Sequence, residues 1–140
     1  MSTNQAVAVI TGASRGIGAA LVQAFRNRNY RIVATSRSIK PCRDEDLVTV
    51  QGDVADPNTA SRTFKEALDR FGSVDTLVNN AGIFIPKPFI SYSNEDYTTY
   101  IDTNVTGFFH MTQRALELMS RAGHGHVVTV TSSLAMALIH

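Results

Sequence analysis

The sequence predicts an α/β chain built on a doubly wound parallel sheet. Three observations predict it: short valine- and isoleucine-rich runs that read as buried strands, segments of helical period between them, and glycine or proline at the junctions. Strands alternate with helices in one unit with no internal repeat and no low-complexity linker. Right-handed crossovers then place helices on both faces of a single sheet.

The first strand is predicted at 6–11, an apolar run that meets Gly12, Gly16 and Gly18 at once. Ile17, Ala20, Leu21, Ala24 and Phe25 follow at helical spacing and predict one apolar stripe. A second strand is predicted at 31–35 and a third at 48–50, joined by a polar connection at 36–46. Asp56 before Pro57 has the form of an N-cap with proline at the first helical position. Phe64, Ala67, Leu68 and Phe71 mark the face of that helix, and Gly72 ends it.

A fourth strand is predicted at 76–78, ahead of the turn Asn79-Asn80-Ala81-Gly82, and Pro86 and Pro88 keep the next stretch from being helical. Ser93 with Asp96 predicts a capping box. Val105, Phe108, Phe109, Thr112, Leu116 and Met119 predict a long, largely apolar stripe closed by Gly123 and Gly125, and 127–131 is the fifth strand.

Bulk properties exclude several function classes. The formal charge of +1, with no basic run interleaved with aromatics, argues against a nucleic-acid footprint or a basic membrane surface. No apolar run approaches the ~20 residues of a spanning helix, and the first residues lack the charged start of a signal peptide, so a cytoplasmic location is the expectation. Cys42 has no second thiol to pair with. His124 and His126 flank Gly125 without further clustered ligands, so no metal site is expected.

The loop Thr11-Gly12-Ala13-Ser14-Arg15-Gly16-Ile17-Gly18 carries the chemistry. Glycines between a strand and a helix permit a sharp turn and close backbone approach to a pyrophosphate, while free N–H groups at the helix start face anionic oxygens. The alternative is a glycine-rich turn that holds no ligand. At the end of the second strand an acidic residue would take the ribose 2′-hydroxyl of NAD. Ser36 and then Arg37 stand there instead. A carboxylate would repel a 2′-phosphate, whereas Arg37 can pair with one, with Arg15 approaching from the glycine loop. NADP(H) is therefore expected over NAD, the alternative being that both arginines are solvated surface charges.

The glycine spacing, three residues and then one, resembles that of the short-chain dehydrogenase/reductase family. Four further places agree in the family's order: Asp53-Val54, Asn79-Asn80-Ala81-Gly82, Asn104 and Ser132-Ser133. The resemblance runs from residue 6 to about 135 and implies a Rossmann fold. It implies that Gly12, Ser14, Arg15, Gly16, Ile17 and Gly18 hold the cofactor together with Ser36 and Arg37. It further implies that Asp53 binds the adenine amino group, with loop capping as its alternative role, that Val54 lines the adenine pocket, and that Asn79, Asn80, Ala81 and Gly82 pass near the ribose.

The resemblance implies catalysis by Asn, Ser, Tyr and Lys, with Ser133 as the serine that steadies the substrate oxygen and Asn104 as the asparagine anchoring a helix kink and a relay water. The family's tyrosine follows the serine by about 13 residues, with lysine one helical turn later. None of Tyr30, Tyr92, Tyr97 and Tyr100 has a lysine at that spacing. Met136 stands where the family often has glycine.

The expectation is one dinucleotide-binding domain over 1–140 with its C-terminal part missing, inactive alone. Its parent is expected to be a homo-oligomeric, NADP-dependent oxidoreductase that moves hydride between nicotinamide and a small carbonyl or secondary alcohol. A non-catalytic nucleotide-binding module and a non-functional truncated product are the alternatives. An exposed edge at the fifth strand and an incompletely covered long helix, with Phe108, Phe109 and Met119 partly bare, are expected to make the chain aggregation-prone.

Overall fold

The computed structural model describes residues 5–132. Among these residues five strands form one parallel sheet: β1 (Val7–Thr11), β2 (Arg31–Ser36), β3 (Leu47–Gln51), β4 (Thr76–Asn79) and β5 (His126–Thr129), in the order β3-β2-β1-β4-β5. The order reverses between β1 and β4, which opens a crevice at the C-terminal ends of those two strands. Central strands buried on both faces need continuous apolar runs, and β1 is buried at every position.

Helix α1 (Gly16–Asn27) covers one face of the sheet, over Ala8, Ile10, Ile32, Ala34 and Val78. Helices α2 (Pro57–Phe71) and α4 (Gly107–Ala122) cover the other, where Phe64, Ala67, Met111 and Ala115 pack on Val7, Val9, Val33 and Leu77. The predicted caps form. The Asp56 carboxylate accepts the Asn58 N–H, Gly72 closes α2 at a φ of 81°, and Ser93 and Asp96 complete a reciprocal capping box at the start of α3 (Asn94–Tyr100).

Between α3 and α4 lies a π-helical segment, Ile101–Thr106, so the helical rod runs unbroken from 94 to 122 with one widened stretch that contains Asn104. The hydrophobic periodicity did not mark this widening, and the face that α4 turns to the core also departs from expectation. A π turn takes up about one extra residue, which rotates every following side chain by about 100°. Gly107, Met111, Ala115 and Met119 face the core, while Val105, Phe108, Phe109 and Leu116 are exposed. Met119, expected to be partly bare, is buried against Gly125, where a Cβ would stand 2.2 Å from the Met119 Cγ.

The face of α1 is also rotated from expectation. Ile17, Ala20 and Ala24 are exposed, and Gly18, Leu21, Val22 and Phe25 look inward. Gly18 sets this orientation because only a residue without a Cβ fits against the Gly12 carbonyl.

Strand ends shift slightly. β5 begins at His126, whose N–H donates to the Asp75 carbonyl, and its pairing ends at Asn79↔Thr129, with the Val130 N–H still donating to the Asn79 carbonyl at 2.9 Å. The connection expected at 36–46 is stitched to β3: the Cys42 N–H donates to Thr49 Oγ1 at 2.8 Å and the Thr49 N–H to the Cys42 carbonyl at 3.0 Å. β5 is an edge strand among the described residues, as expected. No helix is long and apolar enough to cross a membrane among the described residues.

Candidate functional site

The crevice at the β1/β4 reversal is organised from below by Thr11, the last residue of β1. Its hydroxyl oxygen accepts the N–H groups of Asn80 (3.0 Å) and Ala81 (2.9 Å). The Asn80 side-chain amide donates to the Gly12 carbonyl at 3.1 Å, so the turn after β4 is tied to the glycine loop at three points. Gly12 adopts a φ of 62°, and a Cβ there would stand 2.9 Å from the Ala81 Cα. At Gly18 a Cβ would stand 1.9 Å from the Gly12 oxygen. The glycine pattern therefore serves close approach of three backbone segments, and it leaves the N-terminus of α1 open at the crevice with no acidic residue in its first turn.

Two hollows flank the turn. The first is a groove lined by Gly12, Ser14, Arg15, Ser36, Arg37, Gly52, Asp53, Val54, Asn80, Ala81 and Gly82, with Ser38, Ile83 and Thr103. Ten of the residues expected to hold the cofactor thus converge on one groove, from four different strand ends. Ile17 and Asn104 line the second hollow, with Asn79, Phe84, Phe108, Met111 and Ser132. Gly16 and Gly18 form the first turn of α1. Ser133 and Met136 lie outside the described residues.

Arg15 and Arg37 are both exposed, and neither guanidinium has a hydrogen bond or ion pair among the described residues. Asp53 does cap its loop, Oδ1 accepting the Ala55 N–H at 2.9 Å, while the residue also lines the groove. Both roles weighed for it from the sequence are therefore compatible.

Asn104 sits in the widened stretch of the helix, and its amide closes a pair of hydrogen bonds with one residue. Oδ1 accepts the Ile83 N–H at 2.9 Å and Nδ2 donates to the Ile83 carbonyl at 3.1 Å. Its side chain thus pins the segment leaving Gly82. Asn79 Nδ2 donates to Thr112 Oγ1 at 2.9 Å, tying β4 to α4.

Tyr92 and Tyr100 stand on the same segment. The Tyr92 hydroxyl donates to the Ile85 carbonyl at 2.7 Å, and Tyr100 accepts the Ile85 N–H. The Tyr100 hydroxyl beside it and partial burial push the Tyr92 phenol above its ordinary value. A phenol shifted that way is a weaker proton donor, which suits a structural role.

The sequence reading missed Thr11 as an organiser, although a threonine closing an apolar strand just before the glycine loop was a legible signal. It also missed Ser38, Ile83 and Thr103, which carry no motif and enter the groove only through the fold. No cluster of metal-ligating side chains is present among the described residues.

Comparison with known proteins agrees with this geometry. The family model "short chain dehydrogenase" matches residues 6–139. A 3-oxoacyl-[acyl-carrier-protein] reductase of Buchnera aphidicola is 30% identical over 96% of this chain and 58% of its own length. The acetoacetyl-CoA reductase of Cupriavidus necator is 31% identical over 91% of this chain and 56% of its own.

Among solved structures, ElxO with NADP bound superposes with a TM-score of 0.88 at 26% identity, covering 96% of this chain and 58% of that one. Serine dehydrogenase of Escherichia coli gives 0.84 at 28% identity, covering 95% and 65%. The chain thus spans somewhat more than half the length of these relatives. A match over nearly its whole length, joined to a parallel sheet whose glycine loop and Asn80 turn are bonded at the strand-order reversal, places the chain in the short-chain dehydrogenase family, as an N-terminal portion.

Proposed function

We propose that this chain binds NADP(H) across the crevice, and that the complete enzyme transfers hydride between that cofactor and a small carbonyl or secondary alcohol. The observation that carries the cofactor reading is the pair Arg15 and Arg37. They line one groove without partners among the described residues, and Ser36 occupies the end of β2, where a carboxylate would repel a 2′-phosphate. The name of the ElxO structure, with NADP bound, supports the same choice.

The residues fit such a group. A Cβ at Gly12 would stand 2.9 Å from the Ala81 Cα, so glycine there lets the loop close on the turn after β4, while Gly16, at a φ of 58° with nothing within 4 Å of where its Cβ would be, leaves open space for a pyrophosphate. The open N-terminus of α1 supplies N–H donors and a positive field to the phosphates. Arg37 and Arg15 pair with the 2′-phosphate, and Asp53 and Val54 flank the adenine. Asn80, Ala81 and Gly82, fixed by Thr11, bound the ribose side.

When bound, the nicotinamide supplies or accepts the hydride. Asn104 positions the segment after Gly82, and Ser133 is the hydroxyl proposed to hold the substrate oxygen. No tyrosine in these 140 residues precedes a lysine by one helical turn, so this chain alone is proposed to bind without turnover. The relatives named 3-oxoacyl-[acyl-carrier-protein] reductase and acetoacetyl-CoA reductase support carbonyl reduction by the complete enzyme, which we propose to be a homo-oligomer.

Titration of the purified chain with NADPH and NADH, followed by nicotinamide fluorescence, tests the cofactor reading. Tighter binding of NADPH is expected, with Arg37→Ala weakening NADPH by about tenfold or more and NADH little, as for loss of a charge-assisted bond. Equal affinities in the wild type would refute the preference for the 2′-phosphate.

A further inference from the structure

Arg37 follows the last residue of β2 on a short exit loop, and an exposed arginine on such a loop discriminates between ligands only if its backbone is held. Three hydrogen bonds hold it. The Gly52 N–H donates to the Ser36 carbonyl at 3.0 Å, the Ser38 N–H to Ser36 Oγ at 3.3 Å, and Gln51 Nε2 to the Arg37 carbonyl at 2.9 Å. The Gln51 bond alone comes from a side chain outside the loop, and it is made to the arginine's own peptide.

Gln51 is itself braced from behind. Its carbonyl accepts Arg62 Nη2 at 2.9 Å, and a Cβ on neighbouring Gly52 would stand 2.4 Å from Thr59 Oγ1 and 2.8 Å from Arg62 Nη2. The first turns of α2 therefore press directly on the end of β3, so the amide that reaches Arg37 stands on a fixed platform. The alternative is that Gln51 merely satisfies a carbonyl at a sheet edge and bears on no ligand.

We propose that Gln51 is a positioning residue for cofactor selectivity: by clamping the Arg37 peptide to the end of β3, it holds the guanidinium at the 2′-phosphate position. This rests on the reading of Arg37 as the 2′-phosphate ligand. Gln51 touches no reacting atom and acts only through Arg37.

Calorimetric titration of the 140-residue chain with adenosine 2′,5′-bisphosphate and with 5′-AMP isolates this effect without any turnover. Gln51→Met keeps the length of the side chain and removes its donor, and Gln51 is exposed, so the fold tolerates it. The bisphosphate is expected to weaken by about three- to tenfold in Gln51→Met while 5′-AMP changes by less than about twofold, the span expected for one positioning hydrogen bond. Arg37→Ala is expected to lose more of the same difference.

A merely structural role would weaken both ligands in parallel or neither, and either result, with Arg37→Ala still losing the preference for the bisphosphate, would overturn the role of Gln51 alone. An Arg37→Ala variant that leaves the bisphosphate untouched would overturn the 2′-phosphate reading, and the role of Gln51 with it.

Discussion

The Thr11 hydroxyl oxygen lies 2.9 Å from the Ala81 nitrogen, joining the end of β1 to the turn after β4 across the point where the strand order reverses. The same oxygen accepts the Asn80 N–H at 3.0 Å, and Thr11 is 1% exposed. One buried hydroxyl therefore satisfies two backbone donors that no strand ladder reaches. Thr11→Val keeps the shape and leaves both donors without an acceptor, so unfolding free energy is expected to fall by about 2 kcal/mol or more. Thr11→Ser should recover most of it. Urea denaturation of the three proteins checks this, and a neutral valine variant would show that the hydroxyl does not hold the turn.

Gly18 has no room for a side chain. The obstacle to its Cβ, 1.9 Å away, is the backbone oxygen of Gly12, which cannot swing aside as a flexible side chain would. Gly18→Ala is expected to cost about 1–3 kcal/mol by pushing α1 off the glycine loop, and to weaken nucleotide binding along with it. Thermal melting and NADPH titration of the variant measure the two effects together.

The rotated face of α4 makes opposite demands on neighbouring positions. Met111 is fully buried and Phe109 is 54% exposed, although the phenylalanine is the larger apolar residue. Met111→Ala is expected to destabilise the chain by about 2–5 kcal/mol, and Phe109→Ala by less than about 1 kcal/mol. Chemical denaturation that ranked the two the other way round would place the helix on the face suggested by its bulky residues.

Acid should loosen the segment after the Asn80 turn before it unfolds the sheet. The Lys87 ammonium bonded to Asp96, with the Ser93 N–H of the capping box, holds the Asp96 carboxyl below its ordinary value of 3.8. A carboxyl lowered on folding adds stability that is fully present above the unfolded value and is lost as pH falls through the folded one. The loss therefore begins at about pH 4 and is completed below it. Lys87→Met removes the largest cause and is expected to move the loss toward higher pH. Intrinsic tyrosine fluorescence, to which Tyr92, Tyr97 and Tyr100 of this segment contribute, followed during acid titration of both proteins, reads the change.

Much of the fold could be read because its signals are local. Asp56-Pro57, Gly72 and the Ser93/Asp96 pair act within one turn of chain, so each cap follows from residues that are adjacent in sequence. The glycine loop was legible for the same reason, since a sharp strand-to-helix turn needs glycine whatever surrounds it. Helix faces were less legible. In α1 and α4 the inward positions include the small residues Gly18, Gly107 and Ala115, while Ile17, Phe108, Phe109 and Leu116, which weigh heavily in a periodicity reading, point outward. Crowding between elements decided those faces, and the periodicity did not mark the widened stretch at Ile101–Thr106.

By itself, the sequence determined the alternation of strands and helices, the helix caps, and the residue types available at each strand end. Only the tertiary structure decided which of those ends meet. Arg15 follows β1 and Arg37 follows β2, and they share a groove because these strands pair in parallel, Val7↔Arg31 through Thr11↔Thr35, which brings both exits to the same edge of the sheet. Gln51 reaches the Arg37 carbonyl because β3 pairs with β2 in a register that sets Ser36 opposite Gln51. Strand order and register are long-range properties, settled by burial of the whole sheet between its helix layers, and no local stretch of chain encodes them alone.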